Sequence, residues 1–201
     1  MVKYSKVAAS IAAWLLLGAT QFVAAAEGAP TEGASSDGAL ARVLRPDAAF
    51  AQLGSANLVR TASLGLVWER REPLGTYRKG VLTLLSEVSV GRWWVRADGR
   101  TVRASNSQFG VTPTLRFAFA SKWGTFIEGG IGANLITPTY RAGERRFSTV
   151  FNFGDHIAVG AHPWGKDGGE LALRVEHFSN AGIKHPNPGQ NFVQLRWTQP
   201  L

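Results

Sequence analysis

The 201-residue chain contains no cysteine. This absence excludes a disulfide framework and any thiol chemistry. After the first 26 residues no stretch is long and apolar enough for a membrane-spanning helix, and no long helical period is visible. The fold must therefore come from short segments in which apolar and polar residues alternate.

The N-terminus has the features of an export signal. Lys3 and Lys6 precede an apolar stretch from Ala8 to Val23, and small residues suited to cleavage follow at positions 24–26. A membrane anchor helix is the alternative, which the short apolar core and the adjoining small residues disfavour. We predict a signal peptide over residues 1–26, a flexible leader over residues 27–45, and one folded domain over residues 46–201.

The formal net charge is +8. A basic chain can bind nucleic acid, an anionic membrane surface or acidic ligands. Export argues against nucleic acid, and the arginines are scattered rather than gathered in one run. The charge is therefore explained either by solubility and interior pairing or by attraction to a phosphorylated lipid surface.

Period-2 segments dominate the chain after the leader, separated by clusters of Gly, Pro, Asn and Asp. Most of them reach the length that a tilted membrane strand needs, about 9–11 residues. The eight predicted strands are Asp47–Asn57, Val59–Arg71, Gly80–Val95, Ser107–Ala120, Trp123–Ile136, Phe147–Ala161, Gly169–Ser179 and Asn191–Gln199.

One face of these strands is apolar and the other carries a balanced set of charges. Lone buried charges are costly, but a balanced set can form ion pairs inside a narrow barrel. The sequence therefore predicts an all-β fold, an eight-stranded antiparallel transmembrane β-barrel with its apolar face outward. The charged residues of the polar face are Glu87, Arg116, Glu128, Arg174, Glu176 and Arg196.

A soluble sandwich or lipocalin-like barrel reverses that orientation and is the alternative. Two features favour the membrane barrel: an even number of strands, and aromatic residues near the strand ends. These aromatic residues are Trp68, Trp93, Trp94, Trp123, Phe153 and Trp197.

A candidate base and a candidate nucleophile lie at the end of one apolar row. His177 and Ser179 share the parity of Leu171, Leu173 and Val175, so all five point to the same face of a strand. A serine becomes a nucleophile when a base takes its proton, and the imidazole is the natural candidate. Taken alone, such a pair is also compatible with incidental packing or with a position at the lipid headgroup level.

An imidazole that acts as a base needs a third group to orient it. Asn191 has the outward parity on the following strand, whereas Glu176 points to the opposite face. The amide of Asn180 is a candidate donor to a developing oxyanion. The four histidines lack a zinc-type spacing, and we predict neither a metal nor a cofactor.

The run from His177 to Lys184, followed by residues 186–189, resembles the signature of the outer-membrane lipid A 3-O-deacylases of the PagL type. Residues 126–132 and 151–155 resemble the upstream strands of that family. The resemblance implies an eight-stranded barrel in the cell outer membrane. It also implies a serine esterase that removes the 3-position acyl chain from the lipid A of lipopolysaccharide.

By this resemblance, His177 is the general base, Ser179 the nucleophile and Asn180 an oxyanion donor. Asn187 matches a further residue of the family motif, and turn formation between two prolines also explains it. The expected partners are lipopolysaccharide as substrate and the outer membrane, while a homodimer is left open.

The sequence departs from the family pattern at the third member of the triad. The family has a glutamate just after the Asn-x-Gly stretch, and here Gly189 is followed by Gln190 and Asn191. Either Asn191 orients the imidazole, which we favour, or another carboxylate such as Asp155 is recruited, or the enzyme is slow or inactive. An amide can orient an imidazole but cannot stabilise the imidazolium by charge.

Two other functions fit the same features. The first is a non-enzymatic structural or adhesive barrel, in which the histidine and the serine are incidental. The second is a lipid A acyltransferase that passes the chain from the acyl-enzyme to another lipid.

Overall fold

The computed structural model describes residues 45–97 and 101–201, which form a closed antiparallel barrel. Each strand pairs with the next, and the first also pairs with the last, which closes the sheet on itself. The strands are β1 Ala48–Ala56, β2 Val59–Glu69, β3 Gly80–Ala97, β4 Thr101–Phe119, β5 Phe126–Thr137, β6 Phe151–Ala161, β7 Glu170–Ser179 and β8 Gln190–Pro200.

Three short elements lie in the connections. Strand Gly75–Tyr77 pairs with the start of β3, a small hairpin joins Arg141–Ala142 to Arg145–Arg146, and a 3-10 turn covers Lys166–Gly168. In the described parts of the chain no helix is long and apolar enough to cross a membrane. The predicted signal peptide and nearly all of the leader lie outside the described residues, and the domain boundaries stay predictions.

The eight predicted strands are confirmed, with differences at three strand starts. β4 begins six residues early because residues 101–106 continue the ladder with the end of β3. β5 begins late because residues 121–125 form a turn in which Gly124 has a φ of 55°. β6 also begins late because the backbone of Phe147 bonds to that of Tyr140 in the preceding loop.

The apolar rows of the strands point outward, as predicted for a membrane barrel. Ile157 is 70% exposed and Leu173 is 52% exposed, although both are large aliphatic side chains. The soluble alternative, with its apolar rows inside, is therefore wrong. Other outward side chains of the same kind are Leu53, Leu64, Val159, Leu171, Val175, Val193 and Leu195.

The barrel interior holds the charged residues in ion pairs. Glu87 accepts hydrogen bonds from Arg174 at 3.0 and 3.2 Å and from Arg196 at 2.8 Å. Arg116 bonds both Glu128 and Glu170. Opposite charges offset the desolvation of each side chain, so the polar face is compatible with burial.

An aromatic cluster fills the interior at the end of the barrel where β7 finishes. Trp93 belongs to it with 0% exposure and donates its indole N–H to Gln108 at 2.8 Å. Trp93, one of the aromatic residues near the strand ends, thus has the parity of the inner face. Phe178 and Phe192 pack edge-on against the same indole. Phe178 follows His177 in the sequence and Phe192 follows Asn191, so this interior packing holds the backbone beside both outward residues.

Candidate active site

His177 and Ser179 lie on the outer wall at the end of β7. The alternation of the strand sends Glu176 and Phe178 inward, where both are buried, and leaves the imidazole and the hydroxyl half-buried outside. Both follow the exposed row that includes Val175. The outward parity predicted from the sequence is the one that the strand has.

Asn191 lies directly opposite His177 in the register of β7 and β8. Its Oδ1 is 2.5 Å from His177 Nδ1, so the Nδ1–H of the imidazole donates to the amide carbonyl. This tautomer leaves the Nε2 lone pair available to take a proton. The contact expected of an orienting group is therefore present.

Asp155 is the other cross-strand neighbour of His177, on β6. Within the described residues no hydrogen bond joins this carboxylate to the imidazole. The imidazole thus lies between an amide and a carboxylate, and it is the amide that it contacts.

Ser179 has a weak contact to its own loop. Its Oγ accepts the backbone N–H of Ala181 at 3.4 Å, and within residues 45–97 and 101–201 no hydrogen bond joins it to His177. Same-face neighbours on a strand are about 6.5–7 Å apart along the chain, so the side chains must lean together to meet. Catalytic hydrogen bonds are often long without substrate and tighten when it binds.

The Asn180 side chain ties the end of β7 to neighbouring loops. It is 1% exposed, and its Nδ2 donates to Ser148 Oγ at 2.9 Å, to Thr149 Oγ1 at 3.3 Å and to the Lys184 carbonyl at 2.7 Å. Its Oδ1 accepts the Gly182 N–H at 3.0 Å. The amide predicted to stabilise an oxyanion is therefore engaged within the loops.

Asn187 holds the same turn from the other side. Its Oδ1 accepts the backbone N–H of Asn180 at 3.0 Å. This gives the residue a definite contact, which the sequence alone did not supply.

Gly189 packs against the imidazole. Its φ is 64°, and a Cβ built there would lie 2.6 Å from Cε1 of His177. The position therefore demands glycine both for its backbone conformation and for space. The contact is not readable from the sequence, where the only signal is a glycine that closes the Asn-x-Gly stretch.

The loop between β5 and β6 supports this turn. Arg145 donates to the Gly189 carbonyl at 3.0 Å, and Tyr140 donates its hydroxyl to Gln190 Oε1 at 2.9 Å. Burial raises the pKa of Tyr140 to about 12, so the phenol keeps its proton at neutral pH. The loop between β5 and β6 thus fixes the start of β8, where Asn191 lies.

A second group of titratable side chains lies inside the barrel. Ligand-type atoms of Glu87, Glu128 and His156 lie within 4.8 Å of one another. Both carboxylates already contact Arg174, and Glu87 also contacts Arg196. The cations compensate the negative charge there, and the group is better described as part of the interior ion pairs.

The fold and the site together define a class: a small β-barrel of the outer-membrane type with a serine and an oriented histidine on its outer wall. The family described as lipid A 3-O-deacylase (PagL) matches residues 60–199. The chain belongs to this family.

Two relatives named lipid A deacylase PagL are similar to this chain. The protein of Bordetella bronchiseptica is 39% identical over 119 residues, which cover 59% of this chain and 63% of that relative. The protein of Pseudomonas aeruginosa is 29% identical over 142 residues, which cover 70% of this chain and 78% of that relative. The alignment with the first relative thus spans slightly less than two thirds of its length.

A solved structure, titled as that of the outer membrane enzyme PagL, has the same fold. It matches with a TM-score of 0.66 and 27% identity, over 77% of this chain and 99% of the solved one. The predicted eight-stranded transmembrane barrel and its location in the outer membrane are confirmed.

Proposed function

We propose that this chain is a serine esterase that removes the 3-O-linked acyl chain from lipid A. The observation that carries the proposal is the contact of His177 Nδ1 with Asn191 Oδ1. His177 lies two residues before Ser179 on the same outward apolar row. Membership of the deacylase family supports the choice of lipid A as the substrate.

The reaction begins when His177 Nε2 takes the proton of Ser179 and the Oγ attacks the ester carbonyl. The tetrahedral intermediate collapses to an acyl-enzyme, and the imidazolium gives its proton to the departing sugar oxygen. Water, activated by the same imidazole, then attacks the acyl-enzyme. The products are a 3-hydroxy fatty acid and free Ser179.

The intermediate needs a donor for its oxyanion. The sequence assigns this role to Asn180, whose side-chain amide is used to hold the loop. We assign the donor to the backbone N–H of Ala181, which lies 3.4 Å from the Ser179 Oγ. Asn180 and Asn187 then serve by keeping that N–H in place.

Asn191 takes the place of the family glutamate in this mechanism. It fixes the imidazole tautomer through its carbonyl but adds no negative charge to stabilise the imidazolium. Asp155, on the other side of the imidazole, is close enough in register to supply a charge at longer range. In this mechanism the amide of Asn191 orients the His177 base, and the protonated imidazole is stabilised by charge only at longer range.

The substrate reaches the site from the membrane. The row that leads to His177 and Ser179 consists of exposed aliphatic side chains, which match the hydrocarbon chains of a lipid. An ester near the headgroup of a lipid that lies along this row would come to the end of β7.

The test is mass spectrometry of lipid A from cells that express the chain, with Ser179→Ala beside it and Ser121→Ala as a control at the other end of the barrel. The proposal expects loss of one 3-hydroxyacyl group with the wild type and with the control, and none with Ser179→Ala. Heat-modifiable migration on a gel shows that each barrel is folded.

Other outcomes of the same experiment select the alternatives. Unchanged lipid A from a folded, inserted wild-type barrel indicates a structural barrel or a degenerate enzyme. A lipid A that has an acyl chain moved rather than lost indicates an acyltransferase. Full activity of Ser179→Ala would refute the nucleophile.

A further inference from the structure

A groove crosses the outer wall on β1 to β4, and none of its lining residues lies on β7 or β8, which carry the candidate active site. Its volume is about 560 Å³, within the usual range for ligand sites. Small and large apolar side chains from the four strands line it together. The lining side chains include Ala51, Leu53, Ala62, Leu64, Val90 and Phe109.

Arg92 lies in the lining of this groove on the outward face. In the register it is paired with Ala62 on one side and with Ser107 on the other. Its guanidinium donates to Ser107 Oγ at 2.8 Å and to Ser105 Oγ at 2.5 Å. Over residues 45–97 and 101–201, no carboxylate lies within ion-pair distance of it.

A cation on the outward face of a membrane barrel is costly unless it lies near the interface or meets an anion. Two neutral hydroxyls orient the guanidinium, and no carboxylate of the described residues compensates its charge. Trp94, two residues after Arg92 on β3, has the same outward parity. Tryptophan favours the interface between hydrocarbon and headgroups. A planar guanidinium at that level fits a phosphate, which it can bind through two parallel hydrogen bonds.

We propose that this groove is a specific site for a phosphate-bearing membrane lipid, with one acyl chain in the apolar groove and the phosphate on Arg92. The site is separate from Ser179 and His177, and the proposal does not depend on ester hydrolysis. It explains why an arginine without an ion-pair partner among the described residues occurs beside an apolar groove on the outward face.

Native mass spectrometry of the intact barrel in detergent tests the proposal. The probes are phosphatidylglycerol, diacylglycerol with the same chains, and inorganic phosphate. We expect one phosphatidylglycerol retained per barrel, and little retention of the other two, because the site requires both the chain and the phosphate.

Four variants sharpen the test. Arg92→Gln should weaken phosphatidylglycerol retention about tenfold or more, since a charge-assisted contact is lost, and Arg92→Lys should restore part of it. Ala62→Phe should also weaken it, because the larger side chain fills part of the groove. Lys122→Gln changes the net charge equally, in a loop at the other end of the barrel, and should have no effect.

Three results would overturn the proposal. Equal retention of diacylglycerol would mean that the phosphate is not recognised, and equal retention of inorganic phosphate would mean that the chain is not. Unchanged retention by both Arg92→Gln and Ala62→Phe would place the lipid elsewhere on the barrel.

Discussion

Two imidazoles lie on opposite faces of the same barrel wall and have opposite surroundings. His156 on β6 faces the interior, opposite Glu176, while His177 on β7 faces outward, opposite Asp155. His156 is 4% exposed, and among the described residues neither of its ring nitrogens has a hydrogen-bond partner. His177 is oriented through Nδ1 by Asn191.

The surroundings of the two histidines distinguish the residues that stabilise the barrel from those that form the candidate site. Inside, Glu87 is paired with two arginines. Outside, the imidazole of His177 is held by the neutral amide of Asn191, and the amides of Asn180 and Asn187 fix the adjoining loop. An uncharged amide costs less than a carboxylate on a face that meets lipid, and it still accepts the hydrogen bond that selects the tautomer.

The largest effect should come from exchanging the two histidines for alanine in turn. His177→Ala should lower the release of 3-hydroxy fatty acid by about 10³-fold or more, because the serine loses its base. His156→Ala should leave the rate of the folded enzyme nearly unchanged and cost about 1–3 kcal/mol of stability through an interior cavity. Release is measured by mass spectrometry and unfolding by heat-modifiable migration. Similar rate losses in both variants would contradict the division of roles.

Removing one interior charge should damage the fold rather than the chemistry. Glu87→Gln leaves Arg174 and Arg196 short of a carboxylate and should destabilise the barrel by about 3–5 kcal/mol. Glu72→Gln, an exposed acid in the loop after β2, is the control and should unfold like the wild type. If the two variants unfold alike, the interior ion pairs do not stabilise the barrel.

A smaller and more local effect is expected at Gly189. In Gly189→Ala the new Cβ displaces the imidazole, and a misplacement of about 1 Å can cost roughly 10² in rate. Gly165→Ala has a similar left-handed backbone, with a φ of 84°, but its Cβ would meet nothing within 4 Å. It is therefore the control for backbone strain alone. Equal rates in the two variants would show that the contact with the imidazole does not matter.

The barrel could be predicted from the sequence because each strand shows its faces through a period of two. The same parity placed His177, Ser179 and Asn191 outside and Glu176 inside. Parity is a local property, so it needs no knowledge of which strands meet.

The supports of the site could not be predicted, because they join segments that are distant in the chain. Ser148 and Asn180 meet only when two loops fold together at one end of the barrel. The close approach of Gly189 to His177 depends on the path of a turn whose residues have no period. The inward position of Trp93 could not be predicted, because an aromatic residue near a strand end suits both the interface and the interior.

The measurement that tests the account most directly is the turnover number for lipid A deacylation in Asn191→Ala and Asn191→Glu. We predict that Asn191→Ala lowers it roughly tenfold, the order of one lost hydrogen bond, and that Asn191→Glu preserves or raises it. Gln199→Ala, which removes an amide at the other end of β8, is the control and should match the wild type. If Asn191→Ala and Asn191→Glu both match it as well, Asn191 has no part in catalysis and the account of an amide-oriented base is contradicted.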